Sequence, residues 1–193
     1  MSALDNALKI YDDNVMKIYL VRHGQTDWNL NGLRQGRQDI ELNEFGRKQA
    51  KELRDKLADT HFDLCISSPL KRAAETAQII CGDRREIRYD DRLVERCFGK
   101  TEGQPSNITP MEYDWVFGAK FEDETFETLE QLFARAKSFI DDLKTIKADS
   151  VLVVCHGSLA KAIHYNIVGY NKNTNFLDWF LENCSYDCYD LLN

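Results

Sequence analysis

The stretch Lys17-Ile18-Tyr19-Leu20-Val21-Arg22-His23-Gly24 decides the fold, because an apolar run of strand length stops abruptly at an arginine and a histidine. Far along the chain, the stretch Val151-Leu152-Val153-Val154-Cys155-His156-Gly157 is built in the same way. Strands that are apolar on both faces belong in parallel or mixed sheets covered by helices, and ligands bind beyond the carboxyl ends of such strands. We therefore expect His23 and His156 to lie together at one edge of a sheet.

Helix signals follow the first of these strands. Asn43 is a suitable N-cap for a helix whose apolar residues recur at helical spacing. A short second strand covers residues 62–66, and Ser68 and Pro69 beyond it are typical of an N-cap and a first helical position. We predict that the helix starting there extends to about Ile80.

The second half of the chain continues the alternation of strands and helices. Residues 86–89 form a weak strand, and apolar residues spaced by three and four between Phe126 and Ile146 predict the clearest amphipathic helix. A helix over residues 158–168 and a last short strand near residues 184–189 complete the order. Such an alternation is typical of an α/β sheet protein.

The length and the distribution of turn residues indicate a single domain. A chain of 193 residues fits one domain, or one domain with a small lid, and buries a sizeable core. We assign residues 16–193 to this domain, with an irregular, lid-like insertion around residues 96–124. Residues 1–15 are polar with scattered apolar positions, and we expect an N-terminal extension there, as a short helix or a loose arm.

The composition narrows the functional classes. The chain is 43% hydrophobic and 30% charged with a formal net charge of −7, which argues against a general nucleic-acid or anionic-membrane binder. No apolar window approaches membrane-spanning length, and residues 1–13 lack the apolar core of a secretory signal. The six cysteines include no Cys-x-x-Cys pair and complete no zinc site, so we expect reduced thiols, a cytoplasmic location and no metal.

Two arginines, two histidines and an acidic residue are suited to moving a phosphoryl group. The guanidinium groups of Arg22 and Arg72 match phosphate oxygens and stay charged at any relevant pH. A neutral imidazole can attack phosphorus, and a second histidine, if protonated, would neutralise charge in the transition state. A carboxylic acid must still protonate the leaving alkoxide, and Glu95, at the mouth of the irregular region, suits that role.

Several short motifs occur in order between residues 17 and 168. They are Arg22-His23-Gly24-Gln25-Thr26 with Trp28-Asn29, Gln35-Gly36, Ser67-Ser68-Pro69-Leu70 with Arg72-Ala73, Glu95 with Phe98-Gly99 and Glu102-Gly103, and His156-Gly157. In this order they resemble the histidine phosphatase superfamily, also called the phosphoglycerate mutase-like family. The resemblance implies a three-layer α/β/α sandwich with a mostly parallel central sheet. It implies no metal ion and no organic cofactor.

The same resemblance implies roles for individual residues. His23 would be the phosphorylated nucleophile, and Glu95 would be the proton donor. Arg22, Arg72 and His156 would form the phosphate pocket with His23. Further candidate contacts to the phosphate or the substrate are Asn29, Arg34, Gln35, Gly36, Arg96 and Ser158.

The branch within this family depends on the cations around the pocket. The cofactor-dependent mutases carry Ser-Gly or Thr-Gly where this chain has Gln35-Gly36, and a longer insertion with paired arginines that residues 108–119 lack. The family also often has an arginine at the position of Leu33, whereas here the cation is displaced to Arg34. A mutase must hold a second phosphate, so the missing cations favour hydrolysis of a small phosphorylated metabolite.

Three functions stay open at this point. The favoured one is a metal-independent phosphomonoesterase; the others are a phosphoglycerate mutase that interconverts 2- and 3-phosphoglycerate, and a non-catalytic protein that binds a phospho-ligand. A sugar phosphate, a nucleoside phosphate and phosphoglycerate all fit as substrates. We expect specificity to lie in residues 96–119, where Tyr113, Trp115 and Phe117 form an apolar wall or pack the lid. The sequence leaves a homodimer open.

Structural roles compete with these functional ones. A strand-end histidine taken alone is more often a satisfied core residue, and an arginine is often a partner in a surface ion pair. The ordered motifs around His23 and His156 favour a site instead. Cys155 is expected to be a small buried hydrophobe rather than a nucleophile. His61 and His164 lie outside every motif, and we assign both to structural roles.

Overall fold

A five-stranded sheet forms the centre of the molecule. The computed structural model describes residues 15–82, 86–108 and 114–192. The strands are β1 (Val15–Arg22), β2 (Leu64–Ser67), β3 (Ile87–Tyr89), β4 (Ser150–Cys155) and β5 (Tyr186–Leu192). Their order in the sheet is β3-β2-β4-β1-β5. The pairs among β1 to β4 are parallel, and β5 runs antiparallel to β1 at the edge.

Helices cover both faces of this sheet. They are α1 (Asp27–Leu30), α2 (Glu44–Lys56), α3 (Lys71–Cys81), α4 (Leu129–Leu143) and α5 (Gly157–Val168). Apolar residues of α4 and α5 pack with Ile18 and Leu20 of β1 on one face. Apolar residues of α2 and α3 pack with Val21 on the other. The predicted three-layer α/β/α sandwich with a mostly parallel sheet is therefore confirmed.

The central strand β4 explains why its sequence is apolar without alternation. Val151 and Val153 face the layer of α4 and α5, whereas Leu152 and Val154 face the layer of α2 and α3. All four side chains are fully buried. A strand covered on both faces has no solvent side on which a polar residue is favoured.

The helix after β2 begins later than its sequence predicts. Its first residue is Lys71, and its N-cap is Leu70, which makes no side-chain capping bond. Ser68 is therefore not the N-cap. Its Oγ instead accepts a hydrogen bond from the backbone N–H of Leu70 at 3.3 Å and lies 2.8 Å from Nε2 of His156. The predicted end near Ile80 agrees with the observed end at Cys81.

The other helix predictions hold with shifted boundaries. Asn43 caps α2 through its Oδ1, which accepts a hydrogen bond from Gly46 N at 2.8 Å. The amphipathic helix α4 is shorter than its apolar pattern, because Thr128 and Gln131 form a capping box that starts it at Leu129. Ile146, near the end of the pattern, packs against the core from outside the helix.

The remaining predictions concern the ends of the chain and the insertion. The N-terminal extension lies outside the described residues except for Val15, which already belongs to β1. The last strand covers residues 186–192 rather than 184–189. Between residues 96 and 124 the described part contains a turn of 3-10 helix, Gly99–Thr101, and an isolated β-bridge between Pro105 and Leu33. Within the described residues, no helix combines the length and apolar character needed to cross a membrane.

The strand register brings the candidate residues to one edge. Arg22, the last residue of β1, pairs with Cys155, the last residue of β4. Ser67, the last residue of β2, pairs with Val154. The carboxyl ends of three neighbouring parallel strands therefore meet, and the segments that follow them form a common pocket.

Candidate active site

The two motif histidines are neighbours beyond the ends of β1 and β4. The backbone N–H of His23 donates to the carbonyl oxygen of Cys155 at 3.0 Å, which extends the strand pairing by one residue. The centroids of the His23 and His156 rings are 5.1 Å apart, and both side chains are buried. The structure thus brings together two residues that lie far apart in the sequence.

The hydrogen bond of His23 shows which of its ring nitrogens carries the proton. Nδ1 lies 2.7 Å from the carbonyl oxygen of Gly24. A carbonyl only accepts, so in the neutral ring the proton is on Nδ1, and Nε2 carries the lone pair. Burial, and then the charges of Arg72 and Arg22, hold the pKa of His23 well below 6.5. At neutral pH the ring is therefore uncharged.

Arg72 lies against Nε2 of His23. Its Nε donates to His23 Nε2 at 3.3 Å, while Nη1 and Nη2 donate to the carbonyl oxygens of Gln38 at 2.7 Å and Gly36 at 2.8 Å. Burial lowers the pKa of Arg72 to about 10, so the guanidinium stays charged at neutral pH. The loop carbonyls thus hold a cation beside the atom that would attack phosphorus.

Gly36 is placed in this loop by its backbone. Its φ of +52° lies in the left-handed region, and a Cβ there would overlap the carboxylate of Glu102. That carboxylate is held in turn, because its Oε1 accepts from the N–H groups of Arg37 and Phe98, both at 3.0 Å. Gly36 therefore holds Arg72 through its carbonyl oxygen, and its lack of a side chain leaves room for the Glu102 carboxylate.

Arg22 forms the second cation of the pocket. Its Nη1 donates to the carbonyl oxygen of Leu181 at 2.9 Å, and its guanidinium carbon lies 4.9 Å from the centroid of the Phe180 ring. Its Nε is buried and has no hydrogen-bond partner in the part of the chain that the structure describes. Arg22 lines the pocket together with His23 and Arg72, so a buried donor is available for an anion there.

His156 is the second histidine of the site, and its ring is uncharged. Its Nε2 lies 2.8 Å from the Ser68 hydroxyl, whereas its buried Nδ1 has no partner among the described residues. Burial, followed by the charges of Arg72 and other nearby groups, lowers the pKa of His156 well below 6.5. The condition under which a second histidine would neutralise charge, a protonated ring, is therefore not met at neutral pH in this structure. His156 is neutral at neutral pH and contributes a hydrogen bond rather than a full charge.

Glu95 faces the N-terminus of helix α5. Its Oε2 accepts from the backbone N–H of Ser158 at 3.1 Å, and its Oε1 accepts from Leu159 at 3.1 Å and from Arg96 at 2.8 Å. The positive end of the helix dipole favours an acidic group at this place. Both Glu95 and Ser158 line the pocket, so the backbone fixes this carboxyl group within it.

The pocket has a volume of about 290 Å³. Among the other predicted contacts, it is lined by Asn29, Arg34, Gln35 and Gly36. Asn29 uses its Oδ1 to accept from the backbone N–H of Thr26 at 3.2 Å, and Gln35 Oε1 is buried without a partner among the described residues. Arg34 is neutralised by Asp114, since its Nη2 lies 2.6 Å from the carboxylate and both side chains are buried.

Arg96 does not line this pocket. Its Nε donates to the carbonyl oxygen of Glu127 at 2.8 Å, and its Nη1 donates to that of Asp114 at 2.5 Å. Four aromatic rings surround its guanidinium group, those of Phe98, Trp115, Phe121 and Phe126. The structure therefore places Arg96 behind the wall of the pocket, where it holds the insertion. The sequence predicts that three aromatic residues form an apolar wall or pack the lid. Trp115 lines the pocket, Phe117 packs against Phe133 and Phe176, and Tyr113 lies outside the described residues.

The segment that follows α5 also supports the site, and sequence patterns do not reveal it. Asn183 Nδ2 donates to the backbone carbonyl oxygen of His23 at 2.9 Å. The backbone N–H of Cys184 donates to the carbonyl oxygen of Arg22 at 3.0 Å, and Cys184 adopts a positive φ of 52°. Neither residue lies in a motif or a periodic pattern, so a single sequence carries no signal for them.

Residues assigned to structural roles have such roles here. Cys155 is fully buried, and burial raises the pKa of its thiol. His61 is exposed and lies 3.1 Å from a carboxylate oxygen of Asp63. His164 stacks on a tryptophan, with ring centroids 4.2 Å apart. Within residues 15–82, 86–108 and 114–192, no group of three or more His, Cys, Asp or Glu residues is arranged to hold a metal ion.

Several known proteins of similar sequence bear the names of phosphatases. Residues 18–191 match the family model of the histidine phosphatase superfamily (branch 1). The uncharacterized phosphatase PhoE of Bacillus subtilis is 36% identical over 155 residues, which are 79% of this chain and 77% of that protein. Phosphoserine phosphatase 1 of Hydrogenobacter thermophilus is 32% identical over 180 residues, which are 89% of this chain and 85% of that protein.

A solved structure has the same architecture. A mutant phosphoserine phosphatase from Entamoeba histolytica, in complex with phosphoserine, gives a TM-score of 0.78 at 28% identity. The similarity covers 92% of this chain and 94% of that one.

Proposed function

Because the chain belongs to the histidine phosphatase superfamily (branch 1), we propose that it hydrolyses a small phosphomonoester through a phosphohistidine at His23. One observation carries this proposal. Nδ1 of His23 is bound to Gly24 O, so the lone pair of Nε2 faces the guanidinium group of Arg72 at 3.3 Å. A neutral nucleophile is thereby held next to a cation that matches a phosphoryl group.

The phosphoryl group binds between the two arginines. Arg72 and the buried Nε of Arg22, which line the pocket, donate to its oxygens. His156 is not part of the lining, but its ring lies 5.1 Å from that of His23, and its unpartnered Nδ1 adds a hydrogen bond. Asn29, which lines the same pocket, supplies a further contact. Fixed donors around the equatorial oxygens stabilise the charge that spreads over them in the transition state.

In the first half-reaction, the incoming phosphoryl group displaces the hydrogen bond that Arg72 Nε donates to His23 Nε2. The freed lone pair of Nε2 attacks phosphorus and the N–P bond forms. The P–O bond to the leaving group breaks, and the leaving oxygen takes a proton from Glu95. In the second half-reaction, Glu95 takes a proton from water, whose oxygen attacks the phosphohistidine. The N–P bond breaks, its electron pair returns to Nε2, and inorganic phosphate is released.

Each role in this cycle belongs to a side chain, which supports independence from metal ions. The cations are arginines, the nucleophile is an imidazole and the proton donor is a carboxyl group. None of these steps calls for a Lewis acid. We propose that the reaction proceeds in the presence of a chelator.

Hydrolysis is favoured over mutase chemistry because two other arginines, Arg34 and Arg96, are already bound to protein groups. Arg34 is paired with Asp114, and Arg96 is bound to backbone carbonyls behind the pocket. A second phosphate would therefore find few uncommitted charges on the pocket wall. The relatives compared above bear the names of phosphatases. Phosphoserine, named for two of these proteins, is the first substrate to test.

The test is hydrolysis of p-nitrophenyl phosphate in EDTA by the wild type and His23→Ala. The matched control is His61→Ala, because His61 is an exposed histidine remote from the pocket lining. Hydrolysis that survives EDTA in the wild type and His61→Ala, but is lost in His23→Ala, supports the proposal.

A parallel assay with 3-phosphoglycerate and a priming bisphosphate tests the mutase alternative. Fast interconversion of the phosphoglycerates would overturn the assignment to hydrolysis. Phosphate binding without any turnover would instead identify a protein that binds a phospho-ligand.

A further inference from the structure

Two cysteines are in contact in the apolar layer that α2 and α3 form on the sheet. Cys65 is the second residue of β2, and Cys81 is the last residue of α3. The thiol of Cys81 donates to Sγ of Cys65 at 2.9 Å, and both residues belong to the buried cluster on this face. Neither residue belongs to a sequence motif or takes part in the reaction above. Their contact is therefore a chemical feature that the proposed function does not use.

The backbone holds these two sulfur atoms close together. β2 lies between β3 and β4 in the sheet, and α3 contributes Ala73, Ala77 and Ile80 to the same buried cluster. The S–S bond of a disulfide is about 2.05 Å long, so the two sulfurs need to approach by less than about 1 Å. Two groups that a folded backbone fixes at such a distance react with each other far faster than with a partner in solution.

A surface cavity leads to one of the two thiols. It has a volume of about 430 Å³, and Cys81 lines it together with Leu57, Phe62 and Ile80. Cys65 is not part of this lining, and its residue is 1% exposed, against 8% for Cys81. A small oxidant that enters the cavity therefore meets Cys81 first. Cys65, behind it, is placed to act as the resolving thiol.

This cavity is separate from the substrate pocket. Among the described residues, the two have no lining residue in common. Arg72, which lines the substrate pocket, lies in the first turn of α3, so about 14 Å of helix separates it from Cys81 at 1.5 Å per residue. The cysteine pair is therefore distinct from the candidate active site.

We propose that Cys65 and Cys81 are a modification site, at which a peroxide forms a reversible disulfide bond. The bond links β2 to the end of α3 and encloses residues 65–81, the segment that carries Ser68 and Arg72. Such a link restricts the unfolded chain and so stabilises the folded one. This inference does not depend on the proposed phosphatase function.

The reaction consumes one peroxide for each disulfide. The thiolate of Cys81 attacks one peroxide oxygen, the O–O bond breaks and an S–O bond forms, and the departing hydroxide takes the proton that Cys81 released. Sγ of Cys65 then attacks the sulfur of the Cys81 sulfenic acid. The S–S bond forms, the S–O bond breaks and the hydroxide takes the Cys65 proton, so two waters are released in total. A dithiol reverses the modification by thiol–disulfide exchange.

The test exposes the folded, full-length protein to hydrogen peroxide. The remaining thiols are then alkylated under denaturing conditions, and unreduced peptides are identified by mass spectrometry. We expect a pair of peptides joined through Cys65 and Cys81 in the monomeric protein. The melting temperature of the oxidised protein is expected to rise by about 5–10 °C, and dithiothreitol should reverse this rise.

Two variants serve as controls. Cys65→Ala removes the resolving thiol and keeps a small apolar side chain in the cluster, so peroxide should give neither the joined peptides nor the higher melting temperature. Cys188→Ala removes an exposed cysteine of β5 and should retain both. Each variant is compared with its own reduced form, so a change in its starting stability does not affect the result.

The contrary outcomes are distinct. Oxidation of Cys81 to a sulfinic acid without a bond to Cys65, or a bond between Cys81 and a cysteine of another molecule, would overturn the proposal. Two unmodified thiols at Cys65 and Cys81, under conditions in which the exposed Cys188 is oxidised, would overturn it as well. A joined pair without a higher melting temperature would contradict the stabilising role of the bond.

Discussion

Nε of Arg72 donates a hydrogen bond to Nε2 of His23 across 3.3 Å, so a guanidinium group already faces the lone pair that would attack phosphorus. The other two nitrogens of Arg72 are bound to the carbonyl oxygens of Gly36 and Gln38. This geometry fixes the guanidinium group and the imidazole relative to each other before substrate binds. Preorganised charge of this kind accounts for a large share of catalysis in many enzymes.

Arg72→Lys is expected to lower kcat on p-nitrophenyl phosphate by about 100–1000-fold. Lysine keeps the charge but lacks the planar fork that contacts two carbonyls and the imidazole together. The control is Arg47→Lys, which alters a half-exposed arginine paired with Glu75 on another helix. Steady-state kinetics checks both variants, and near-normal turnover in Arg72→Lys would contradict the role given to the guanidinium fork.

Glu95→Gln is expected to separate substrates by their leaving groups. An alkyl phosphate needs a proton on its leaving oxygen, so its kcat/KM falls by about 100–10,000-fold. p-Nitrophenolate leaves without a proton, so its phosphate ester loses much less. Comparing phosphoserine with p-nitrophenyl phosphate measures the difference. Equal losses on both substrates would assign Glu95 to positioning of the helix α5 backbone, whose N–H groups it binds.

The buried histidines predict a loss of stability in mild acid. Burial holds the pKa values of His23 and His156 well below 6.5 in the folded protein. Below about pH 6.5 the unfolded chain takes up protons that the folded chain does not, so the free energy of unfolding decreases as pH falls. The expected slope is about 1.4 kcal/mol per pH unit for each histidine.

Urea unfolding between pH 6.5 and pH 5 measures this slope. His156→Asn should make it shallower, and His61→Ala, at an exposed position, should leave it unchanged. A flat profile in the wild type would contradict neutral, buried imidazoles in the folded state.

Gly36→Ala is expected to cost both stability and activity. Alanine at a positive φ is strained by about 1–3 kcal/mol, and its Cβ would also meet the Glu102 carboxylate, which two backbone N–H groups hold in place. The displaced loop would withdraw the carbonyl that anchors Arg72, so kcat falls. Gly82→Ala is the matched control, since Gly82 has a similar φ of 59° and open space around it.

In that control the expected result is a loss of stability with normal kcat. Equal effects of the two alanines on kcat would show that the contact between Gly36 and Arg72 is not needed for catalysis.

The sequence predicts the sandwich and the meeting of the two histidines because both depend on strong local signals. The apolar runs before His23 and His156 are long enough to be buried strands, and parallel pairing of such strands aligns their carboxyl ends. Asn43 can be predicted as an N-cap for the same reason, because its side chain accepts a hydrogen bond from the first turn of the helix that it precedes.

Other features depend on contacts between distant segments, which a pattern does not encode. Ser68 looks like an N-cap, but its hydroxyl is engaged by His156 from another strand. Arg96 is polar and next to Glu95, yet the aromatic residues of the insertion enclose it behind the pocket. Asn183 supports the carbonyl of His23 from the far end of the chain. Each of these depends on tertiary packing rather than local sequence.

The most direct measurement is trapping of the phosphoenzyme by an alkaline denaturing quench during turnover of phosphoserine or p-nitrophenyl phosphate, followed by peptide mass spectrometry without acidification. The account predicts an acid-labile, alkali-stable phosphoryl group on the peptide that contains His23. The group should be absent in His23→Ala. A phosphoryl group on any other residue, or turnover that persists in His23→Ala, would contradict the assignment of His23 as the nucleophile.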